Sequence, residues 1–146
     1  MEVLDVVGFD NGYDYVKIVG GEGAENRELF PSVIYKNETE EVSIFNISQV
    51  SRPFKFSKEK MVIEFEGEEY FVGDYAVSQD ATGGHRDYSE RKFEDEAEIA
   101  KFLAGISLFS TEQELKIENL VLGLNVDQYK NHKEEIISVF QGEKFK

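Results

Sequence analysis

Residues 10–17 read DNGYDYVK, with an acid at the first position, a glycine at the third and a lysine at the last. Carboxylate oxygens such as those of Asp10 bind hard cations, so this residue suits a Mg²⁺ ion or its water shell. The ammonium of Lys17 is a compact charge that attracts phosphate oxygens. Gly12 would allow a sharp turn with positive φ, in which backbone N–H groups converge on an anion. The segment therefore predicts a phosphate-holding loop, although an Asp-x-Gly turn between two strands also occurs in ordinary hairpins.

Extended segments on either side must position this loop. The apolar run Val3–Phe9 predicts a strand that stops at Asp10, and Tyr15–Val19 predicts a second strand that runs back beside it. A third strand is expected over Glu28–Tyr35. Because Pro31 lies inside this segment, the strand should lie at a sheet edge or begin after the proline.

A small group of β-strands is expected in the middle of the chain. Val42–Ile47 is one extended segment. Met61–Phe65 and Glu69–Val72 alternate apolar and charged residues and predict a hairpin joined through residues 66–68. The segment that follows, Ser78–Tyr88, is rich in Gly, Ser, Thr and Asp and is expected to be mobile.

The C-terminal part of the sequence has helical periodicity interrupted by one strand. The apolar stripe from Ile99 to Phe109 predicts a helix, Ile117–Val126 predicts a strand buried on both faces, and Asp127–Gln141 predicts a helix that ends at Gly142. The strand segment Leu120–Val126 should pair with the first strand and leave its other edge open, which favours self-association, for example as a dimer. The order of elements predicts an α/β protein with a mixed sheet, helices on its faces and a small β-rich insertion.

Composition limits the classes of partner. The chain has 146 residues, enough for one domain with a core, and no cysteine, which excludes disulfides and thiolate metal sites. Thirty acidic against 16 basic residues give a net charge of −14, which repels nucleic acid and anionic lipid. No apolar segment approaches membrane-spanning length, and the acidic start does not resemble a signal peptide. We therefore expect no direct nucleic-acid or membrane partner, and the cytoplasm is the predicted location.

Four stretches in a characteristic order carry a family resemblance: residues 10–17, FPSVI at 30–34, YFVGDYA at 70–76 and LGLNV at 122–126. With them the chain resembles the N-terminal part of an actin-like ATPase, most closely the ParM-type plasmid-partitioning filament proteins, in a superfamily that includes the sugar kinases. The resemblance implies a ribonuclease-H-like half-lobe. Residues 1–37 and 89–146 would form the first part of subdomain IA, and residues 38–88 would form the small insertion subdomain IB.

The resemblance also implies a ligand and partners. ATP (or GTP) and Mg²⁺ would bind between two lobes, and protomers would self-associate into filaments for plasmid or DNA segregation or cytoskeletal scaffolding, with an adaptor protein as a possible partner. Asn11, Gly12, Tyr13 and Lys17 would bind the phosphates, while Asp10 would hold Mg²⁺ through water.

The sequence departs from the family pattern in several places. Asp14 stands where a small residue is usual and would repel phosphate. Asn125 replaces a proline, which should loosen the start of the last helix. The second phosphate loop, the adenosine pocket and the residue that positions water lie further along in this family. The chain is therefore expected to be a fragment that lacks the C-terminal lobe and does not hydrolyse ATP by itself.

Two other classes of function stay open on these residues. The chain could be the N-terminal lobe of a sugar-kinase-like phosphotransferase, or a non-catalytic acidic module for protein interaction. Other candidate sites are weaker: Ser32 lacks a nucleophile motif and is interpreted as a packing residue, and His132 is expected to be solvated. The last helix is predicted to present a set of side chains on one side, namely Tyr129, Lys133, Ile136, Ile137 and Phe140.

Overall fold

The computed structural model describes residues 1–21, 25–37, 56–79, 95–110 and 114–142. The strands are β1 (Glu2–Asn11), β2 (Tyr15–Gly20), β3 (Asn26–Pro31), β4 (Ile34–Lys36), β5 (Met61–Phe65), β6 (Glu68–Val72) and β7 (Leu115–Gly123). The helices are α1 (Asp74–Gln79), α2 (Glu96–Ser107) and α3 (Val126–Phe140).

The main sheet has the strand order β3-β2-β1-β7. The first three strands form the predicted antiparallel meander, but the third strand does not continue to Tyr35 as predicted: it ends at Pro31, and the residues from Ile34 onward form β4 of the other sheet. β7 runs parallel to β1, with Phe9 opposite Leu122 and Asp10 opposite Gly123. Pro31 ends β3 at the sheet edge, as its missing N–H requires. The carboxyl ends of β1 and β7 therefore lie side by side, and the mixed sheet with helices is confirmed.

The core lies between one face of this sheet and the two longer helices. Phe9 of β1 meets Phe102 of α2 edge to face at 5.1 Å, and Phe102 meets Phe140 of α3 in the same way at 5.3 Å. Gly105 permits close approach of α2 to the sheet, because a Cβ there would lie 3.0 Å from Cδ1 of Ile18. The aromatic contacts thus fix both helices over the end of β1.

The smaller sheet has the order β4-β6-β5. Its β5–β6 hairpin matches the prediction, and its two turn residues, Glu66 and Gly67, have φ of 51° and 76°, as a type I′ turn requires. β4 belongs to this sheet although it precedes residue 38, and the proposed subdomain boundaries stay a prediction. The segment Val42–Ile47 lies outside the described residues, as does most of Ser78–Tyr88. Ser78 and Gln79 themselves end α1.

The prediction that the strand β7 is buried on both faces is wrong. Among the described residues β7 is an edge strand and is not buried on both faces: Val121, which lies opposite Gly8 on the face away from Phe9, is 60% exposed. The helix α3 ends before Gly142, as predicted, and Gly142 has a positive φ of 73°.

The orientation of α3 also differs from the prediction. Residues 129 and 137 are exposed, whereas the side of the helix that turns inward carries Gln128, His132, Ile136 and Phe140, four residues apart. His132, expected to be solvated, has a side chain that is 11% exposed and lies 3.4 Å from Glu135. The rotation follows from Phe140, which docks on Phe102 and thereby brings the residues one and two turns earlier against the protein.

Candidate functional site

The loop between β1 and β2 is tight, because the two strands pair up to Asn11 opposite Val16. Asp10 lies directly opposite Lys17 in this pairing, and both side chains are exposed. Directly opposed residues in an antiparallel pair point to the same face, so the acid and the base stand side by side on the face away from Phe9. The structure thus brings together the two charged residues that the sequence singled out.

Gly12 has a different reason for being glycine than the one predicted. Its φ is not positive. A Cβ at this position would lie 2.7 Å from the carbonyl oxygen of Tyr15, so the turn has no room for a side chain. Glycine is required here by close backbone approach, and the prediction of a left-handed turn residue was wrong.

Two contacts anchor the loop from outside. The Ser32 N–H, in the crossover between β3 and β4, donates to the Asp14 carbonyl at 2.8 Å. The Asn125 side-chain amide donates to the Tyr13 hydroxyl at 3.2 Å. The loop is therefore tied both to the crossover between the two sheets and to the start of α3.

Asn125 strengthens the start of α3 instead of loosening it. Its side-chain oxygen accepts from the Gln128 N–H at 2.7 Å, and the Gln128 side-chain oxygen accepts from the Asn125 N–H at 3.2 Å. This reciprocal capping box satisfies two N–H groups at the helix start. The expectation drawn from the missing proline was wrong because asparagine supplies an acceptor that proline lacks.

A buried polar network lies beneath the loop. Lys101 and Glu98 of α2 form an ion pair at 2.7 Å with side chains 1% and 2% exposed. Lys101 also donates to the Ser32 hydroxyl at 3.1 Å, and Asn11 donates to Glu98 at 2.9 Å. The Ser32 hydroxyl completes a ring by donating to the Asn11 carbonyl oxygen at 3.3 Å.

The sequence interpretation missed Glu98 and Lys101 and treated Ser32 as packing. One signal was available: Glu98, Lys101 and Gly105 recur at three and four residues on a single side of α2, which is the spacing of a buried stripe. The spacing does not identify the partners of Glu98 and Lys101, which lie in β1 and in the crossover between β3 and β4.

A cleft of about 450 Å³, including the space at its mouth, opens beside the network at the carboxyl ends of β1 and β7. Its floor is apolar, and Asn11, Glu98 and Gln128 supply its polar groups. The carboxyl ends of parallel strands are where α/β sheets commonly bind ligands. The cleft and the loop thus share Asn11 as a common wall.

The donor set fits a magnesium ion held indirectly. The described residues contain no group of three or more His, Asp or Glu arranged to hold a metal ion. Asp10 is an exposed carboxylate at the loop, which suits contact with the water shell of Mg²⁺ better than direct enclosure. Whether Asp10, Asn11, Gly12, Tyr13 and Lys17 bind a metal and phosphates stays a prediction. In the described part of the chain no helix has both the length and the apolar character needed to cross a membrane.

The loop, the mixed sheet and the flanking helices can be compared with those of known protein families. The profile of the N-terminal domain of actin-like proteins matches residues 8–146. This chain belongs to the actin-like protein family. No curated protein matches the chain.

Solved structures agree with the actin-like fold. The apo ParM protein of pSK41 superposes with a TM-score of 0.66 at 12% identity, covering 99% of this chain and 44% of that one. A 15-stranded ParM filament from Clostridium botulinum gives 0.63 at 19% identity, covering 99% and 41%. The AlfA filament from Bacillus subtilis plasmid pLS32 gives 0.60 at 18% identity, covering 97% and 48%. At these identities the likeness establishes the fold, and the actin-like chain spans less than half the length of each neighbour.

Proposed function

We propose that this chain is the phosphate-gripping N-terminal part of an actin-like filament protein that binds ATP (or GTP) with Mg²⁺ and acts in plasmid or DNA segregation or in cytoskeletal scaffolding. The observation that carries the proposal is the tight loop at residues 10–17, which presents an acid and a base side by side at the carboxyl ends of parallel strands. Family membership supports it.

Each residue of the loop has a role in this proposal. Gly12 and Tyr13 offer backbone N–H groups to phosphate oxygens, beside the carboxamide of Asn11. Lys17 neutralises phosphate charge, and Asp10 orients the water shell of the metal. When bound, Mg²⁺ adds positive charge against the phosphates. The chain itself holds these donors in place before a ligand binds, because Ser32 and Asn125 contact the loop from both sides.

Assembly and location are part of the same proposal. Two of the similar structures are described as filaments, so we propose that protomers of this protein self-associate in the same general manner, in the cytoplasm, and accept an adaptor protein. The remaining parts of the nucleotide clamp, including the residue that positions water, would come from sequence beyond the matched N-terminal domain. We therefore assign hydrolysis to the whole protein and not to residues 1–146.

Calorimetric titration of the whole protein with ATP and Mg²⁺ tests the proposal, together with light scattering for assembly. Lys17→Gln should weaken nucleotide binding about ten- to hundredfold, the usual effect of losing a hydrogen bond to a charged group. Lys36→Gln is the matched control, because this exposed lysine lies in the smaller sheet. Equal affinities for the two variants would remove the loop from the binding site.

The alternatives give different outcomes in the same experiment. Nucleotide-dependent scattering supports the filament protein, whereas transfer of phosphate to a sugar supports a sugar-kinase-like enzyme. A whole protein that binds no nucleotide would leave a non-catalytic acidic interaction module.

A further inference from the structure

The ion pair between Glu98 and Lys101 occupies the protein interior, where the burial of charged side chains is energetically unfavourable. Both side chains are almost fully buried. Taking two charges out of water carries a large free-energy penalty, and proteins in which such pairs are replaced by apolar side chains are often as stable as the original. Stability alone therefore gives no reason for two charges at this place in α2.

The hydrogen bonds of the pair run toward the loop. Glu98 accepts from Asn11, which lies directly before the loop glycine. Lys101 donates to the hydroxyl of Ser32, and the Ser32 N–H holds the carbonyl of Asp14 after the glycine. The pair is thus connected to the loop on both of its sides.

The ring of four side chains also fixes which way each group points. Lys101 has donors only, so the Ser32 oxygen accepts from it and turns its own proton toward the Asn11 carbonyl oxygen. Asn11 is left to donate its amide to Glu98, a group that only accepts when ionised. The carboxamide of Asn11 therefore has one allowed orientation, set from the interior by the two charges.

We propose that Glu98 and Lys101 are positioning residues that hold the phosphate loop in its binding geometry through Asn11 and Ser32. The part of this inference that concerns nucleotide affinity depends on the proposed function; the part that concerns loop geometry does not. Glu98 and Lys101 lie on the face of the sheet that carries Phe9, opposite the face that carries Asp10 and Lys17, so they act on those residues through the loop.

The test compares the whole protein with two variants. Glu98→Met combined with Lys101→Met replaces the pair by apolar side chains of similar length. Ser32→Ala opens the ring while leaving both charges in place, and decides the matter if the double variant does not fold. The control is Lys36→Met combined with Glu68→Met, which removes a surface pair whose side chains are each 43% exposed.

Two measurements are made on each protein. The first is the NMR order parameter of the Gly12 and Tyr13 amides without nucleotide, which should fall from about 0.85 toward 0.6 in the double variant and part of the way in Ser32→Ala. The second is the dissociation constant for ATP with Mg²⁺, which should rise about tenfold, the effect expected when the loop loses one or two of the hydrogen bonds that position it. The surface-pair control should match the parent in both.

The outcomes separate the two proposals. Unchanged order parameters in a folded variant that lacks the ring would overturn the positioning role, whatever happens to affinity. If the parent protein binds no nucleotide, the proposed function fails, and the order parameters still decide whether the pair shapes the loop.

Discussion

Asp14 places a third charge within the loop, between Tyr13 and the second strand. Its side chain is exposed, and its carbonyl is held by the Ser32 N–H. The backbone of this residue therefore contributes to the loop shape, while its carboxylate adds repulsion toward any phosphate that binds. At the scale of single residues, the loop combines favourable and unfavourable charges, and their balance is set by distance and by salt.

Asp14→Asn should tighten binding of the magnesium nucleotide by up to about fivefold at low salt, the effect expected for one unit charge about 4 Å away in water. The gain should shrink as ionic strength rises, because exposed charges are screened. Titration calorimetry at two salt concentrations measures both effects. Glu25→Gln removes an equal charge beyond the opposite end of the β2–β3 pair and should leave affinity unchanged.

The start of α3 shows how one element serves both stability and the loop. Asn125 caps the helix through its oxygen and reaches Tyr13 through its nitrogen. Because the two functions use different atoms of one carboxamide, substitutions can separate them.

Asn125→Ala should lower the free energy of unfolding by about 1 kcal/mol, the usual cost of losing a helix cap. Asn125→Ser keeps a capping oxygen but has no amide for Tyr13, so it should retain most of the stability. Urea unfolding of the three proteins measures the difference. Equal losses in both variants would mean that the contact with Tyr13, and not the cap, stabilises this helix start.

Tyr70, in β6, makes the stability of the folded protein depend on pH in the alkaline range. Burial raises the pKa of Tyr70 above its ordinary value of about 10, and Glu96, Glu68 and Asp95 add to the shift. The folded state thus keeps the proton when the unfolded state has lost it. This contribution to stability is fully present below pH of about 10 and is lost as pH rises through the folded pKa.

Tyr70→Phe should reduce the alkaline loss of stability, measured by urea unfolding between pH 7 and 11. The pKa of Tyr75 is also raised, by burial and then by Glu69, so part of the pH dependence should persist. Parallel curves for the parent and Tyr70→Phe over the whole range would contradict the assignment.

At the scale of the whole molecule, local patterns predicted what depends on local forces. The meander of β1 to β3 and the β5–β6 hairpin follow from alternation and turn residues, and the structure has them as predicted. The partner of the buried Lys101 could not be predicted in this way, because Ser32 is 69 residues away. Likewise Asn11 and Glu98 are 87 residues apart, so only the folded sheet brings the loop above its polar support.

The open edge of β7 makes a prediction for the polypeptide of residues 1–146. The strand pairs with β1 on one side, and no described strand pairs with its other side. Unpaired edges promote association, so sedimentation should detect concentration-dependent dimers of this polypeptide.

Val121→Lys, which adds a charge on β7, should shift these dimers toward monomer. Val77→Lys is the control, because this valine is 45% exposed and lies on α1. A polypeptide that stays monomeric at high concentration would rule out edge pairing.

The close approach of Gly123 to Asp10 offers a way to move a carboxylate without altering its charge. A methyl group at position 123 would stand 2.9 Å from the Asp10 Cγ and 3.1 Å from its Cβ, too near for either to stay in place. Gly123→Ala would therefore act as a wedge on the acid, while Asp10→Asn would keep its position and cancel its charge. If nucleotide binding loses its dependence on magnesium as completely in Gly123→Ala as in Asp10→Asn, the position of this carboxylate matters as much as its charge.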